Sequence, residues 1–182
     1  MELGNGNNRR TETASPEEVE RWMREFGTEL LRVIYLYLGD YHTAEDVFQE
    51  VFCKAYRSYG SFRGESSVKT WLLRIAINAC KDYRKSAWRR RVLPISEELE
   101  QTLSAADEYE QVEQRVDAEK VTEAVQALPK HYKEVVLCCC YQELSLEETA
   151  KLLGLPVGTV KSRLSRAREL LRKQKGGIGF EI

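Results

Sequence analysis

The sequence has few of the residues and patterns on which enzymes and metal sites depend. It contains only two histidines, His42 and His131, which lie far apart in the chain. No Ser/His/Asp or Cys/His constellation and no glycine-rich phosphate-binding loop is recognisable. The five cysteines form no C-x-x-C pair, so the paired ligand spacing of a structural zinc site is missing. We therefore predict a protein that is not an enzyme and that uses no metal or cofactor.

Long hydrophobic runs are also missing. No stretch reaches about 18 consecutive apolar residues, and the first residues, MELGNGNNRR, lack the apolar core of a signal peptide. We expect a cytoplasmic protein that does not insert into a membrane, with its cysteines reduced. Three of them, residues 138–140, are consecutive. Helical spacing predicts Cys139 in the core and leaves Cys138 off the apolar face, so Cys138 is a candidate reactive thiol for a redox-sensing hypothesis.

Strand signals are nearly absent, because no Asn-Gly or Asp-Gly turn separates alternating apolar and polar runs. Helical spacing of apolar residues instead predicts an all-α fold of two small domains. The predicted helices span residues 16–38, 43–59 and 66–88 in the first domain and 118–128, 130–142, 146–153 and 157–174 in the second. We expect a disordered tail over 1–15, domains over 16–88 and 118–175, an acidic flexible linker over 89–117 and a second tail over 176–182.

Charge is segregated along the chain although the formal net charge is only −1. Residues 81–91 hold six basic residues and one acid, and residues 157–175 hold seven basic residues and one acid. Between them, residues 96–119 hold nine acids and one arginine. This pattern predicts two modules that contact a polyanion, joined by an acidic connector. Charge alone is equally compatible with ordinary solvated helix faces.

A helix-turn-helix is predicted near the C-terminus. Ser145 and Glu148 have the spacing of a capping box, which marks the start of a helix. Gly154 suits the left-handed conformation that ends one. The next helix begins three residues later, and a short glycine-containing turn between two such helices is typical of the DNA-binding helix-turn-helix.

The second helix of this pair has a narrow apolar stripe and a basic, small-residue face. The stripe consists of Val160, Leu164, Ala167 and Leu171, at spacings of 4, 3 and 4. Small polar and basic residues on the remaining surface suit base edges and phosphates. The alternative is an amphipathic helix whose basic face only meets water. The candidate DNA contacts are Thr159, Lys161, Ser162, Arg163, Ser165, Arg166 and Arg168.

A second basic stripe lies on the predicted helix 66–88. Arg74, Asn78, Lys81 and Lys85 follow one another at spacings of 4, 3 and 4, opposite an apolar face. An unbroken basic stripe favours nucleic acid over a face of alternating salt-bridged charges. The preceding loop, SYGSFRG, carries aromatic rings that can stack on unpaired bases. We expect Trp71 to be buried. Phe62 is equally compatible with stacking on a base and with packing in the core.

The predicted helix 43–59 combines a wide apolar face with a compact acidic patch. The patch consists of Asp46, Gln49 and Glu50, and it suits a basic protein partner better than phosphate. On its own it is also typical of a solvated helix face. The apolar face is predicted to bury Ala44, Val47, Phe48, Val51, Phe52, Ala55 and Tyr56.

Two long segments of the sequence resemble a known family. They are AEDVFQEVFCKAYRSYGSFRGESSVKTWLLRIAINACKDYRK and LPKHYKEVVLCCCYQELSLEETAKLLGLPVGTVKSRLSRAREL. In this order they are similar to the sigma-70 family, specifically to the small extracytoplasmic-function (ECF) sigma factors, over roughly residues 20–88 and 118–173. The resemblance implies regions 2 and 4 of that family, joined by a variable linker, and promoter-specific initiation with RNA polymerase.

The resemblance also implies roles for particular residues. Asp46, Gln49 and Glu50 match the region 2 helix that binds core RNA polymerase. The loop and helix that read the minus-ten element and help capture a flipped-out base correspond to Ser61, Phe62, Arg63, Trp71, Arg74, Asn78 and Lys81, with Lys85 continuing the stripe. The region 4 candidates for the major groove at the minus-thirty-five element are the seven residues of helix 157–174 given above. Further implied partners are promoter DNA and an anti-sigma factor, often a membrane-bound one.

Two other classes of protein compete with this interpretation. A helix-turn-helix regulator of the response-regulator output type could end in residues 145–172, but its N-terminal domain would contain strands. A helical RNA-binding or scaffolding protein would show neither promoter selectivity nor polymerase affinity. We predict a sigma factor that is monomeric when free.

Overall fold

The computed structural model describes residues 13–92 and 120–174, and all regular structure in these ranges is helical. The first domain contains α1 (Pro16–Leu38), α2 (Tyr41–Ser58), a 3-10 turn (Tyr59–Ser61) and α3 (Val68–Val92). The second contains α4 (described over 120–126), α5 (Lys130–Val136) with a π-helical continuation (Leu137–Tyr141), α6 (Leu146–Leu153) and α7 (Val157–Gln174). The all-α prediction is confirmed. The predicted tails fall largely, and the linker mostly, outside the described residues.

Local capping explains where the first helices begin and end. Ser15 and Glu18 form a reciprocal capping box at the start of α1, and Gly39 ends this helix with a φ of 89°. The Asp40 carboxylate then accepts a 2.7 Å hydrogen bond from the Thr43 backbone N–H. Because Asp40 is the N-cap, α2 begins at Tyr41 and not at the predicted residue 43.

The boundaries of α3 also differ from the prediction. Ser67 caps its start, since the Ser67 Oγ accepts from the Thr70 backbone N–H at 3.1 Å, and the helix begins at Val68. It continues to Val92, the last described residue of this range, beyond the predicted end at Trp88 and inside the segment assigned to the linker. The basic run 89–91 contains no helix breaker, and the next proline in the sequence is Pro94.

The three long helices of the first domain pack on one another around a single core. Trp22, Ile34 and Tyr37 of α1 and Leu72 and Ile77 of α3 are at most 1% exposed. The apolar face of α2 is buried as predicted at most of its positions. Phe48 is only half-buried, and Tyr56 has 39% of its surface exposed because it lies at the edge of that apolar stripe.

In the second domain, α7 packs against α5 and α6 through the predicted stripe. Val160, Leu164, Ala167 and Leu171 are all buried. The Ser145–Glu148 capping box and the left-handed Gly154 are both present, so the predicted helix-turn-helix geometry is confirmed. The Leu155 backbone N–H donates to the Ala150 carbonyl at 2.9 Å, the long hydrogen bond of a Schellman helix end.

The prediction for Cys138 was wrong. Residues 133–138 are all buried, and Cys138 is 0% exposed, whereas Cys139 and Cys140 are half-buried. The reason is that α5 packs against α7 on one side and contacts the first domain on the other, so even its polar side is covered. Burial raises the pKa of the Cys138 thiol to about 12, which disfavours the reactive thiolate.

Candidate nucleic-acid interface

Four aromatic rings support the loop between α2 and α3. The Trp22 ring centroid is 5.8 Å from that of Trp71 and 5.2 Å from that of Tyr59, so α1 supplies the base of the cluster. Phe62 lies on top, with its centroid 5.0 Å from that of Trp71. Trp71 is buried as predicted, whereas Phe62 is only half-buried and keeps one side accessible. The loop therefore has a packed aromatic base.

A surface cavity of about 320 Å³ opens beside this cluster. Five of its seven lining residues are candidates from the sequence; Glu65 and Ser66 are additional. Gly64 forms the turn between the two sides of the loop with a φ of 71°, a conformation that favours glycine. The cavity combines an aromatic wall with two arginines, which is chemistry suited to a planar ring attached to an anion. Its lining residues are Ser61, Phe62, Arg63, Glu65, Ser66, Trp71 and Arg74.

The predicted basic stripe of α3 continues from this cavity but is not uniform. Arg74, Asn78 and Lys85 are exposed. The Lys81 ammonium instead lies 3.2 Å from the Glu134 carboxylate of the second domain, and its side chain is only 24% exposed. The expectation of a stripe without salt bridges was thus wrong at Lys81, because its partner comes from another helix of the fold and not from α3.

The acidic patch on α2 is exposed as predicted. Asp46, Gln49 and Glu50 all face outward, away from the buried stripe of the helix. The Glu50 carboxylate lies 2.7 Å from the Lys54 ammonium, which also approaches Asp82 of α3 at 3.9 Å. The patch is therefore a polar surface of mixed charge, suited to directed contacts with a protein partner.

The outward face of α7 is basic and accessible. Lys161, Ser162, Ser165 and Arg166 are exposed, and Ser162 donates a 3.0 Å hydrogen bond to the Thr159 carbonyl. The remaining predicted contacts, Thr159, Arg163 and Arg168, are half-buried at the margins of this face. The arrangement leaves one helix face free to enter a groove.

Sequence reasoning missed several residues that support or border this surface. Trp22 had no recognisable role because its partners lie in other helices. Val157, the first residue of α7, is 39% exposed, and its position at the leading end of the helix was a readable signal. Glu134 lies in a helix with no charge pattern of its own, so no local signal identified it.

Two other kinds of site are absent from the described residues. No group of three or more His, Cys, Asp or Glu side chains is arranged to hold a metal ion among residues 13–92 and 120–174. No helix in the same part of the chain has both the length and the apolar character that a membrane crossing requires.

Family comparisons agree with this geometry. The Sigma-70 region 2 profile matches residues 22–90, and the profile of Sigma-70, region 4 matches residues 118–171. The first match includes the loop, the cavity and the acidic patch, and the second includes the helix-turn-helix. The response-regulator alternative is not favoured, since region 2 accounts for the N-terminal part and none of the described residues is in a strand.

Individual proteins give the same result. The RNA polymerase sigma-H factor of Pseudomonas aeruginosa is 36% identical over 154 residues, covering 79% of both chains. The ECF RNA polymerase sigma-E factor of Escherichia coli K12 is 38% identical over 134 residues, covering 69% of this chain and 70% of its own.

Solved structures share the fold. The sigma factor RpoE of Bartonella quintana, crystallised with the anti-sigma factor NepR, gives a TM-score of 0.70 at 22% identity, covering 90% of this chain and 99% of its own. CnrH, in complex with the cytosolic domain of CnrY, gives 0.66 at 22% identity, covering 91% and 92%. Together with the two profile matches and the sequence relatives, the helix-turn-helix and the aromatic-lined loop lead to one conclusion: this chain belongs to the sigma-70 family and is an RNA polymerase sigma factor of the ECF type.

Proposed function

We propose that the two domains divide the work of a transcription initiation factor. The first, over residues 16–88, binds core RNA polymerase and the minus-ten element, and the second, over 118–175, binds the minus-thirty-five element. The cavity beside Phe62 and Trp71 is the observation that carries this proposal. It couples an aromatic wall to exposed Arg63 and Arg74, with exposed Asn78 one helical turn beyond Arg74, and such a site fits an unpaired base better than duplex DNA.

Within the first domain, separate surfaces take different partners. Asp46, Gln49 and Glu50 form the polymerase-binding surface on α2, since a carboxylate patch would repel DNA phosphates. Ser61, Phe62, Arg63 and Trp71 form the base pocket. The α3 residues Arg74, Asn78, Lys81 and Lys85 follow the DNA strand away from that pocket.

In the second domain, α7 enters the major groove through its exposed face. Arg166 and Lys161 offer long basic side chains for base edges, and Ser162 and Ser165 allow close approach. Thr159, Arg163 and Arg168 at the margins bind phosphates. Exposed Val157 at the leading end adds an apolar group that can contact a thymine methyl.

The chain acts by binding and not by catalysis, and its place of action is the bacterial cytoplasm, where RNA polymerase works. Its fold neighbour CnrH is in complex with the cytosolic domain of CnrY, and its fold neighbour RpoE was co-crystallised with the anti-sigma factor NepR. We extend that type of partner to this chain, which would then be held inactive until a signal releases it.

A paired set of variants tests the division of labour. Glu50→Ala should weaken co-elution with bacterial core RNA polymerase on a sizing column, because it removes a charge from the α2 patch. Glu25→Ala, at an exposed acid of α1, is the matched control. Arg166→Ala should leave co-elution intact but cost about 1–3 kcal/mol of promoter discrimination in holoenzyme binding, the value of a good base contact. Arg172→Ala, farther along α7, is its control.

The results have distinct meanings. Wild-type protein that folds, as shown by circular dichroism, but forms no complex with core polymerase would overturn the proposed function. Equal losses for Glu50→Ala and Arg166→Ala in both assays would overturn the division between the domains.

A further inference from the structure

The two domains meet at a buried carboxylate. Glu134 of α5 is 5% exposed, and both of its oxygens have partners in the first domain. The Tyr37 hydroxyl of α1 donates to Oε1 at 2.8 Å, and the Lys81 ammonium of α3 lies 3.2 Å from Oε2. A buried carboxylate is costly unless it is paired and hydrogen-bonded, so this contact depends on both partners.

The neighbouring residue strengthens the same contact. The Lys133 ammonium donates to the Tyr37 backbone carbonyl at 3.2 Å. Helix α1 has no basic residue in its last turn, so a lysine of the second domain supplies the positive charge that favours a helix C-terminus. Adjacent residues of α5 thus hold both the side chain and the backbone of Tyr37.

Burial favours the protonation state that the contact needs at Tyr37 but opposes it at Lys133, whose ammonium nevertheless persists at neutral pH. Burial, followed by the charge of Glu134, raises the pKa of Tyr37, so its hydroxyl remains a donor. Burial lowers the pKa of Lys133 to about 8, with repulsion from Arg84 as the second cause. At neutral pH Lys133 therefore remains mainly charged.

Lys81 also belongs to the stripe of α3 that continues from the base pocket. Its neighbours at helical spacing, Asn78 and Lys85, are exposed, whereas the Lys81 ammonium is committed to Glu134. A carboxylate and a DNA phosphate are both strong acceptors for one ammonium group, so they compete for it.

We propose that Glu134 is an intramolecular latch that holds the second domain on the first and occupies Lys81 in place of a DNA phosphate. In the free chain the latch keeps the α3 stripe incomplete. When the domains separate, Lys81 becomes available and the stripe runs unbroken from Arg74 to Lys85. This inference rests on the proposed role of the stripe in binding the minus-ten strand.

The test uses the full-length chain and a fluorescein-labelled single-stranded dT 20-mer. Glu134→Gln keeps an acceptor for the Tyr37 hydroxyl but removes the charge that holds Lys81. Glu123→Gln, at an exposed acid of α4, makes the same change in net charge and is the matched control. Relative to that control, Glu134→Gln should increase the radius of gyration measured by small-angle X-ray scattering.

Binding of the oligonucleotide should change by the amount expected for one additional phosphate contact. The plot of log affinity against log salt concentration should steepen by about 0.7. Extrapolated from equal affinities at 1 M salt, this slope gives a gain of about 8-fold at 50 mM. In a Lys81→Met background the gain should disappear, because no ammonium is released. Tyr37→Phe, which removes only the hydroxyl, should expand the chain less than Glu134→Gln does.

Two results would overturn the latch: a radius of gyration and affinity equal to those of Glu123→Gln, or a gain that persists with Lys81→Met. Folding of each variant is checked by its thermal transition. Co-elution with core polymerase is measured on the same preparations. If the latch fails but the proteins co-elute with core polymerase, the proposed function stands. If the wild-type protein does not co-elute, the proposed function is overturned whatever the latch experiment shows.

Discussion

The two basic helices of this sigma factor look alike in sequence but differ in their tertiary surroundings. Helix α3 is buried over much of its circumference by α1 and α2, and one of its stripe residues is paired across the domain boundary. Helix α7 buries a single narrow stripe and leaves its opposite face open. The comparison teaches that a basic face on a peripheral helix is open to solvent, whereas the exposure of one on a central helix depends on the arrangement of the domains.

The largest expected effect contrasts the cores beneath these helices. Leu72→Ala in α3 should lower the free energy of unfolding by about 4–5 kcal/mol, because the side chain is 0% exposed and packed on every side. Leu164→Ala in α7, where 8% remains exposed, should cost about 2–3 kcal/mol. Urea denaturation followed by circular dichroism measures both. A loss for Leu164→Ala as large as that for Leu72→Ala would contradict the difference.

The second prediction concerns buried thiols in both domains. Burial raises the pKa of Cys80 and of Cys138 to about 12. Between the ordinary value of 9.0 and this value, the folded protein keeps protons that the unfolded chain has released. Stability that is present below pH 9 is therefore lost as the pH rises above it.

In Cys138→Ala, the free energy of unfolding should fall less steeply between pH 9 and 11, by up to about 1.4 kcal/mol per pH unit. Cys53→Ala, which removes an exposed thiol, is the control and should leave the slope unchanged. The lowered pKa of Lys133 acts in the opposite direction from about pH 8, but it is common to all three proteins and cancels in the difference. Equal slopes for Cys138→Ala and Cys53→Ala would refute the contribution of the buried Cys138 thiol to the pH dependence.

The smallest expected effect compares the capping boxes of the two domains. Ser145→Ala at α6 and Ser15→Ala at α1 should each cost about 1 kcal/mol of stability. The local unfolding caused by each substitution should differ in extent, since α6 has 8 residues and α1 has 23. Hydrogen exchange of the backbone amides should accelerate throughout α6 in Ser145→Ala but only in the first turn of α1 in Ser15→Ala. Uniform acceleration of α1 would show that helix length does not decide the response.

Sequence reasoning succeeded where one helix or turn contains all the relevant information. The stripe of α7, the capping box at Ser145 and the left-handed Gly154 depend on residues within a few positions of one another. It was less accurate at helix ends: Asp40 moved the start of α2, and the absence of a breaker before Pro94 let α3 continue to Val92.

Prediction failed where distant elements meet. Helical spacing places Cys138 on the outer side of α5 and its π-helical continuation. The residue is nevertheless buried, because that side contacts the first domain. Lys81 pairs with Glu134 for the same reason, and the cavity beside Phe62 depends on Trp22 of α1 beneath Trp71 of α3. Periodicity identifies which face of a helix is apolar, but not which other helix will cover it.

The sequence by itself determined the all-helical architecture, the helix-turn-helix, the family and the outward face of α7, because capping, periodicity and motif spacing act over a few residues. The tertiary structure alone decided the availability of the α3 stripe and the burial of Cys138. Both depend on Glu134 and its neighbours reaching Tyr37, which lies 97 positions away in the chain. That contact exists only because two separately encoded domains pack against each other and bury a charge between them.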